Sequence, residues 1–373
     1  MGHTGEGVEK AAAGCLVNVF SVIEDNQNNN RAQRRNMWGR RVVLSQVKCR
    51  VTAASAGLVL VLLAGCEAEL RLEGVEATSA KPIHRTDQFL AIERAGDRIV
   101  AFADHGVIVD GQMTEGELTW QRTELSEAAP NFIDSTQCAD GSVYALSFQN
   151  ELWSAADGKW QNTAVPTEEQ LQSVACDAQN TLWVSGAFST LMSSADQGAS
   201  WQDFSMYEDF TLTGLAFGDA QTGYAVGEFG SLVKTEDGGE SWNMLDPITD
   251  DFYPLAVHFT SANEGWVSGV LGIVFHTEDG GATWQLQDTE TVASIYGFVT
   301  DETAVYAFGD LGALLRYDAS SGRWVDLPSP EIPVHYAAAV PVPNGLFLVG
   351  GWGVAFEVPV SPMQAAPVDG GAL

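Results

Sequence analysis

Basic side chains are scarce in this chain. Its 373 residues include 18 Lys and Arg against 49 Asp and Glu, a formal net charge of −31. Such a surface repels nucleic acid and anionic lipid headgroups, so neither is expected as a partner. Cysteine is also sparse: five residues, with no CxxC pair and no His–Cys spacing of the kind that builds zinc or redox sites. The six histidines are scattered. There is no nucleophile elbow, no phosphate-binding glycine loop and no EF-hand spacing. Apart from an apolar run from Val51 to Leu63, no stretch approaches the length that spans a bilayer.

What the chain does contain is a turn that recurs. Residues 194–201 read SADQGASW, 235–242 TEDGGESW and 277–284 TEDGGATW, all fitting Ser/Thr-x-Asp-x-Gly-x-Ser/Thr-Trp. Their tryptophans, Trp201, Trp242 and Trp284, stand 41 and 42 positions apart, which marks a repeat array. The chemistry suits a tight turn. Asp196, Asp237 and Asp279 can accept hydrogen bonds from backbone N–H groups just ahead. Gly198, Gly239 and Gly281 supply a positive φ. Ser194, Thr235 and Thr277 tie the ends, and each Trp opens the next strand with a large apolar face. Three copies in equivalent places argue for a fold device rather than catalytic or metal-binding carboxylates.

The period extends in both directions. An eroded turn, SAADGKW, ends at Trp160, a hairpin without the motif ends at Trp120, and YDASSGRW ends at Trp324. Before each turn lies an aromatic-started strand, a Gly-containing break and a second apolar alternation, as in YAVGEFGSLVKT (224–235) and WVSGVLGIVFHT (266–277). LFLVGGWGVAFEV (346–358) repeats the two strands and stops before a fourth.

This turn resembles the Asp-box, or bacterial neuraminidase (BNR) repeat, of β-propellers, where it joins the third and fourth strands of a blade. The resemblance implies an all-β closed propeller, with seven four-stranded blades and an N-terminal strand (69–79, ELRLEGVEATS) completing the last one. Closing the ring removes exposed sheet edges.

Residues 1–66 are expected to be an extension and an export signal. Residues 1–36 are polar and Asn-rich, and Met37 is the better start for a signal peptide. Arg40, Arg41, Lys48 and Arg50 precede the apolar run, which ends in Leu63-Ala64-Gly65-Cys66. That string matches the lipobox of bacterial lipoproteins, whose cysteine becomes the lipidated first residue. Glu67 in place of Asp then points to the outer membrane, on its periplasmic side or at the cell surface. Residues 67–360 form the expected propeller and 361–373 a disordered tail. Beyond Cys66 the charge is −35, since the first 66 residues carry 8 Lys/Arg and 4 Asp/Glu. Cys138 and Cys176 remain as an even pair in an oxidising compartment. They occupy equivalent places in neighbouring blades, and a bridge between them is left open by the sequence.

Many Asp-box propellers are sialidases, but that chemistry needs convergent arginines. Here Arg71, Arg85, Arg94, Arg98 and Arg122 crowd the closing strand and first blade, and Phe/Tyr-Arg-Ile-Pro is missing. Box density, ring size and export resemble instead the photosystem II assembly and stability factor family, including relatives in non-photosynthetic bacteria. That resemblance implies a non-enzymatic scaffold holding a membrane-protein intermediate through a basic arginine patch. This acidic chain departs from the family at that patch. The expected function is a lipid-anchored, non-catalytic envelope propeller that binds a membrane protein or complex. The alternative is a glycan-binding or glycoside-hydrolysing propeller with paired carboxylates. The candidate rim lies in the loops that enter the innermost strands: Tyr207, Glu208, Asp209 and Phe210, then Asp250, Asp251, Phe252 and Tyr253, then Tyr296 and Tyr336. No cofactor is expected. Ca²⁺ held by Asp250-Asp251 and Glu208-Asp209 is the one metal these acids suggest.

Overall fold

The computed structural model describes residues 78–360, except 116, 126, 157, 329–334 and 344. The expected export signal, Cys66, residues 69–77 of the expected strand and the expected tail all lie outside the described residues; Thr78 and Ser79, the end of that expected strand, form part of a helical turn instead.

Among the described residues seven antiparallel sheets follow one another, six of four strands and one of three. The protein is a seven-bladed β-propeller. The innermost strands are Phe89–Ala95, Phe132–Gln137, Leu171–Cys176, Leu212–Phe217, Pro254–Phe259, Ile295–Thr300 and Tyr336–Val342, numbered here as blades 1 to 7. Each blade is a simple meander, and each inner strand packs beside the next until that of blade 7 meets that of blade 1.

Short strands with apolar residues on both faces need cover from both sides, and a ring of blades provides it. Seven buried clusters result, one in each seam. The seam between blades 7 and 1 buries Val340, Phe347 and Val349 against Phe89, Ile92 and Val109, with Trp120 and Phe347 in ring contact. Ring closure therefore has an apolar core of its own within the described residues.

The repeated turns behave as their residue types dictate. The Thr235 hydroxyl donates to Asp237 Oδ1 (2.8 Å) and accepts from the Gly239 N–H (2.9 Å). Asp237 also accepts from the Ser241 N–H (2.9 Å) and hydroxyl (2.6 Å). The same bonds recur around Asp196 and Asp279. In blade 6 the eroded turn keeps an aspartate, since Asp318 accepts from Ser320 and Ser321. The hydroxyl and N–H of Ser241, then the Thr235 hydroxyl, hold Asp237 down at about 2.

Cys138, just past the end of the blade 2 inner strand, and Cys176, the last residue of the blade 3 inner strand, form a disulfide with Cα atoms 5.1 Å apart. The two are not equivalent, although their place in the sequence suggests it: Cys176 corresponds to Gln137 and Cys138 to Asp177, an offset of one residue.

Candidate binding face

An antiparallel meander puts the turn between its second and third strands at the same end as the loop that leaves its fourth strand. The two are stitched together. The Gly106 N–H donates to Pro130 O (2.7 Å), the Ser189 N–H to Phe210 O (2.6 Å), and the Gly230 N–H to Phe252 O (2.8 Å). The Thr289 hydroxyl does the same for Gly272 O (2.8 Å). One end of the propeller is thus built from both sets of loops.

The rim residues read from the sequence divide on this face. Tyr207, Glu208, Asp209, Asp250, Asp251 and Tyr253 are exposed. Tyr207 donates its phenol to Asp203 Oδ2 at 2.5 Å. Phe210 is half-buried against the seam of blades 3 and 4. Tyr296 turns toward the axis and lines the central channel with Glu93 and Asp134.

Two rim assignments need correction, because Phe252 is 3% exposed and Tyr336 0%. Phe252 packs edge-on against Phe275 at 4.9 Å, under the face rather than on it. Tyr336 pairs with Gly350 at the start of its strand, where Phe89, Phe132, Leu171, Leu212 and Ile295 sit in other blades, all fully buried. SIY (294–296) and VHY (334–336) look alike but are offset by one residue. Tyr336 matches Ile295, not Tyr296, and a one-residue offset reverses the face.

The sequence reading missed the turns between second and third strands. In these, an i to i+3 hydrogen bond spans two residues: Asp104 to Val107, Glu228 to Ser231, Val270 to Ile273 and Asp310 to Ala313. Both central residues have positive φ: His105 and Gly106, Phe229 and Gly230, Leu271 and Gly272, Leu311 and Gly312. Trp352-Gly353 and Phe188-Ser189 repeat the pattern. Phe229, Leu271, Leu311 and Trp352 are 64, 68, 64 and 67% exposed. A signal was present in GEFG, GVLG, GDLG and GGWG, where a large residue precedes the second glycine. Spacing alone does not reveal that this residue points outward.

The channel between the inner strands encloses about 400 Å³. Glu93 accepts from the Ser135 hydroxyl (2.8 Å), and Asp134 from the Ser135 N–H (2.9 Å), the Ser173 hydroxyl (2.8 Å) and the Val174 N–H (2.8 Å). Burial pushes Glu93 up to about 8 against the Ser135 bond, with Asp134 adding to the rise. Burial likewise pushes Asp134 up to about 6, opposed by its hydrogen bonds to Val174, Ser173 and Ser135. Among the described residues no group of three or more His, Cys, Asp or Glu is placed to hold a metal ion.

Arginines on blade 1 are separately engaged. Arg98 pairs with Asp110 and Arg122 with Asp87 and Glu124, while Arg94 donates to Pro341 O.

Residues 200–292, spanning the last two Asp-boxes and the end of the first, match the family model described as photosynthesis system II assembly factor YCF48. Over those residues the propeller is similar to the YCF48 family. YCF48 from Cyanidioschyzon merolae superposes with TM-score 0.58 at 13% identity, covering 74% of this chain and 95% of its own. A structure of YCF48 bound to a D1 peptide gives TM-score 0.58 at 14% identity, covering 74% of this chain and 93% of that one. Catalytically inactive virginiamycin B lyase from Staphylococcus aureus, crystallised with quinupristin, gives 0.62 at 9% identity, covering 72% and 94%. At such identities these structures speak to the fold alone. No curated protein sequence matches this chain.

Proposed function

We propose that this propeller is a non-catalytic, lipid-anchored scaffold or assembly factor for a membrane-protein complex of the cell envelope. One observation carries this: a single end of the ring presents large apolar side chains to solvent, set among carboxylates. Exposed aromatic and aliphatic anchors beside charge are what protein interfaces use. The YCF48 family match and the D1-peptide complex of a relative support a membrane-protein partner in kind. Anchoring rests on the lipobox ending at Cys66, and the outer-membrane address on Glu67.

The glycosidase alternative would rest on Glu93 and Asp134. Their geometry weighs against it, because Asp134 is already committed to three donors, two of them across the seam of blades 2 and 3. Both carboxyls also sit between inner strands rather than across an open cleft.

The test is a crosslinked pull-down of the lipidated full chain from native membranes. Repeated recovery of one membrane complex is the expected result. A chain that emerges alone, while turning over a glycoside in a Glu93-dependent manner, would overturn the scaffold.

A further inference from the structure

A β-turn with positive φ at both central residues is best served by Asn-Gly, because Asn tolerates the left-handed region and Gly adopts it freely. Here the first central position holds Phe229, Leu271, Leu311 and Trp352, with His105 and Phe188 in the same place in blades 1 and 3. Bulky side chains in that region are strained. Packing does not compensate, since these side chains stand in solvent. The ring therefore repeats a costly choice that its own stability does not require.

The surroundings fix the chemistry of what would cover these side chains. The turns of blades 3 to 6 and the outgoing loops of blades 3 to 5 are residues 186–190, 203–211, 227–231, 245–253, 269–273, 288–294 and 309–313. They contain ten acids (Asp203, Glu208, Asp209, Glu228, Asp246, Asp250, Asp251, Asp288, Glu290 and Asp310) and no Lys, Arg or His. Arg323, on the fourth strand of blade 6, reaches this group, donating to Glu290 at 2.9 Å. We propose that this face docks a lysine- or arginine-bearing polypeptide segment with interspersed apolar side chains, its apolar groups on Phe229, Leu271 and Leu311 and its cations among the carboxylates. The inference rests on the scaffold reading above and names the face and the kind of segment it takes. An anionic lipid surface is disfavoured by the same carboxylates.

Two arms test it on the full chain. The first measures fluorescence anisotropy with three labelled twelve-residue peptides that alternate Lys with Phe, Glu with Phe, and Lys with Ser. Only the Lys/Phe peptide should bind, more weakly at high salt. The triple substitution Phe229→Asn, Leu271→Asn, Leu311→Asn should weaken it on the order of tenfold or more. The same variant should melt at or above the wild-type temperature, because Asn suits the turn. If the triple variant melts lower, Leu271→Asn alone is measured instead. Binding unchanged in the variant, equal binding of the Glu/Phe peptide, or stronger binding to anionic vesicles than to any peptide would overturn the proposal. The second arm repeats the membrane pull-down with the triple variant. A complex lost with the variant supports this face, and a complex still recovered moves the interface elsewhere while leaving the scaffold intact. No complex with either protein removes the scaffold reading itself.

Discussion

Gly239 has φ +91°, and a methyl group there would lie 2.2 Å from Cζ2 of Trp183. The fifth position of the Asp-box thus has two reasons to be glycine: the left-handed backbone of the turn and the close approach of the preceding blade. Gly239→Ala should destabilise the ring by about 1–2 kcal/mol from backbone strain alone. Displacement of Trp183, which donates its indole N–H to buried Asp177 (3.0 Å), adds to this. Chemical denaturation would show it; an unchanged midpoint would mean that the turn relaxes without moving Trp183. Phe229 is the opposite case. There the native side chain is the strained one, and Phe229→Asn should stabilise by about 1 kcal/mol. One turn residue serves the fold at the expense of choice, and the other gives up stability in favour of an exposed ring.

At the scale of elements, the disulfide ties the inner-strand ends of blades 2 and 3 across 38 residues. Its removal by Cys138→Ala/Cys176→Ala should cost about 4 kcal/mol in the chain-entropy view. Urea midpoints of oxidised and double-alanine protein measure this, and near-identical values would mean that the seam cluster around Leu146 and Leu171 already holds the two blades together. The strands and boxes were legible because their signals are local: Asp237 needs Ser241 four residues on, and Trp242 follows at once. Blade count was legible from the spacing of Trp201, Trp242 and Trp284. The candidate face was half legible. Tyr207, Asp250 and Tyr253 were read as surface residues from their polar loops. Phe252 and Tyr336 were misplaced because their burial depends on a neighbouring blade, which no local pattern encodes. The turn residues Phe229 and Leu271 were overlooked because an apolar residue between two strands reads as core until its φ is known.

For the whole molecule, charge sets the range of pH in which the ring holds. Asp237 lies at about 2 in the folded protein, below the ordinary value near 3.9 of an unfolded chain. Its contribution is therefore present above pH ~4 and fades as pH falls through about 2. His258, which burial lowers to about 4, acts in the same direction higher up, withdrawing its contribution as pH falls from ~6.5 toward 4. Glu93 has the opposite sign. Its carboxyl, held at about 8 by burial, favours the folded state fully below the unfolded value near 4.3, and that contribution is lost as pH rises through 8. Asp134, at about 6, follows the same course earlier. Above pH 8 the channel must hold two adjacent carboxylates with no cation among the residues that line it. Glu93→Gln keeps a group that can accept the Ser135 hydrogen bond and cannot ionise. It should leave stability at pH 4 nearly unchanged and raise it at pH 9, so that the variant loses less stability than wild type between those values. Urea unfolding at both pH values decides it. An equal loss in the two proteins would mean that water enters the channel and solvates the charge, leaving the alkaline limit to the excess of surface acids.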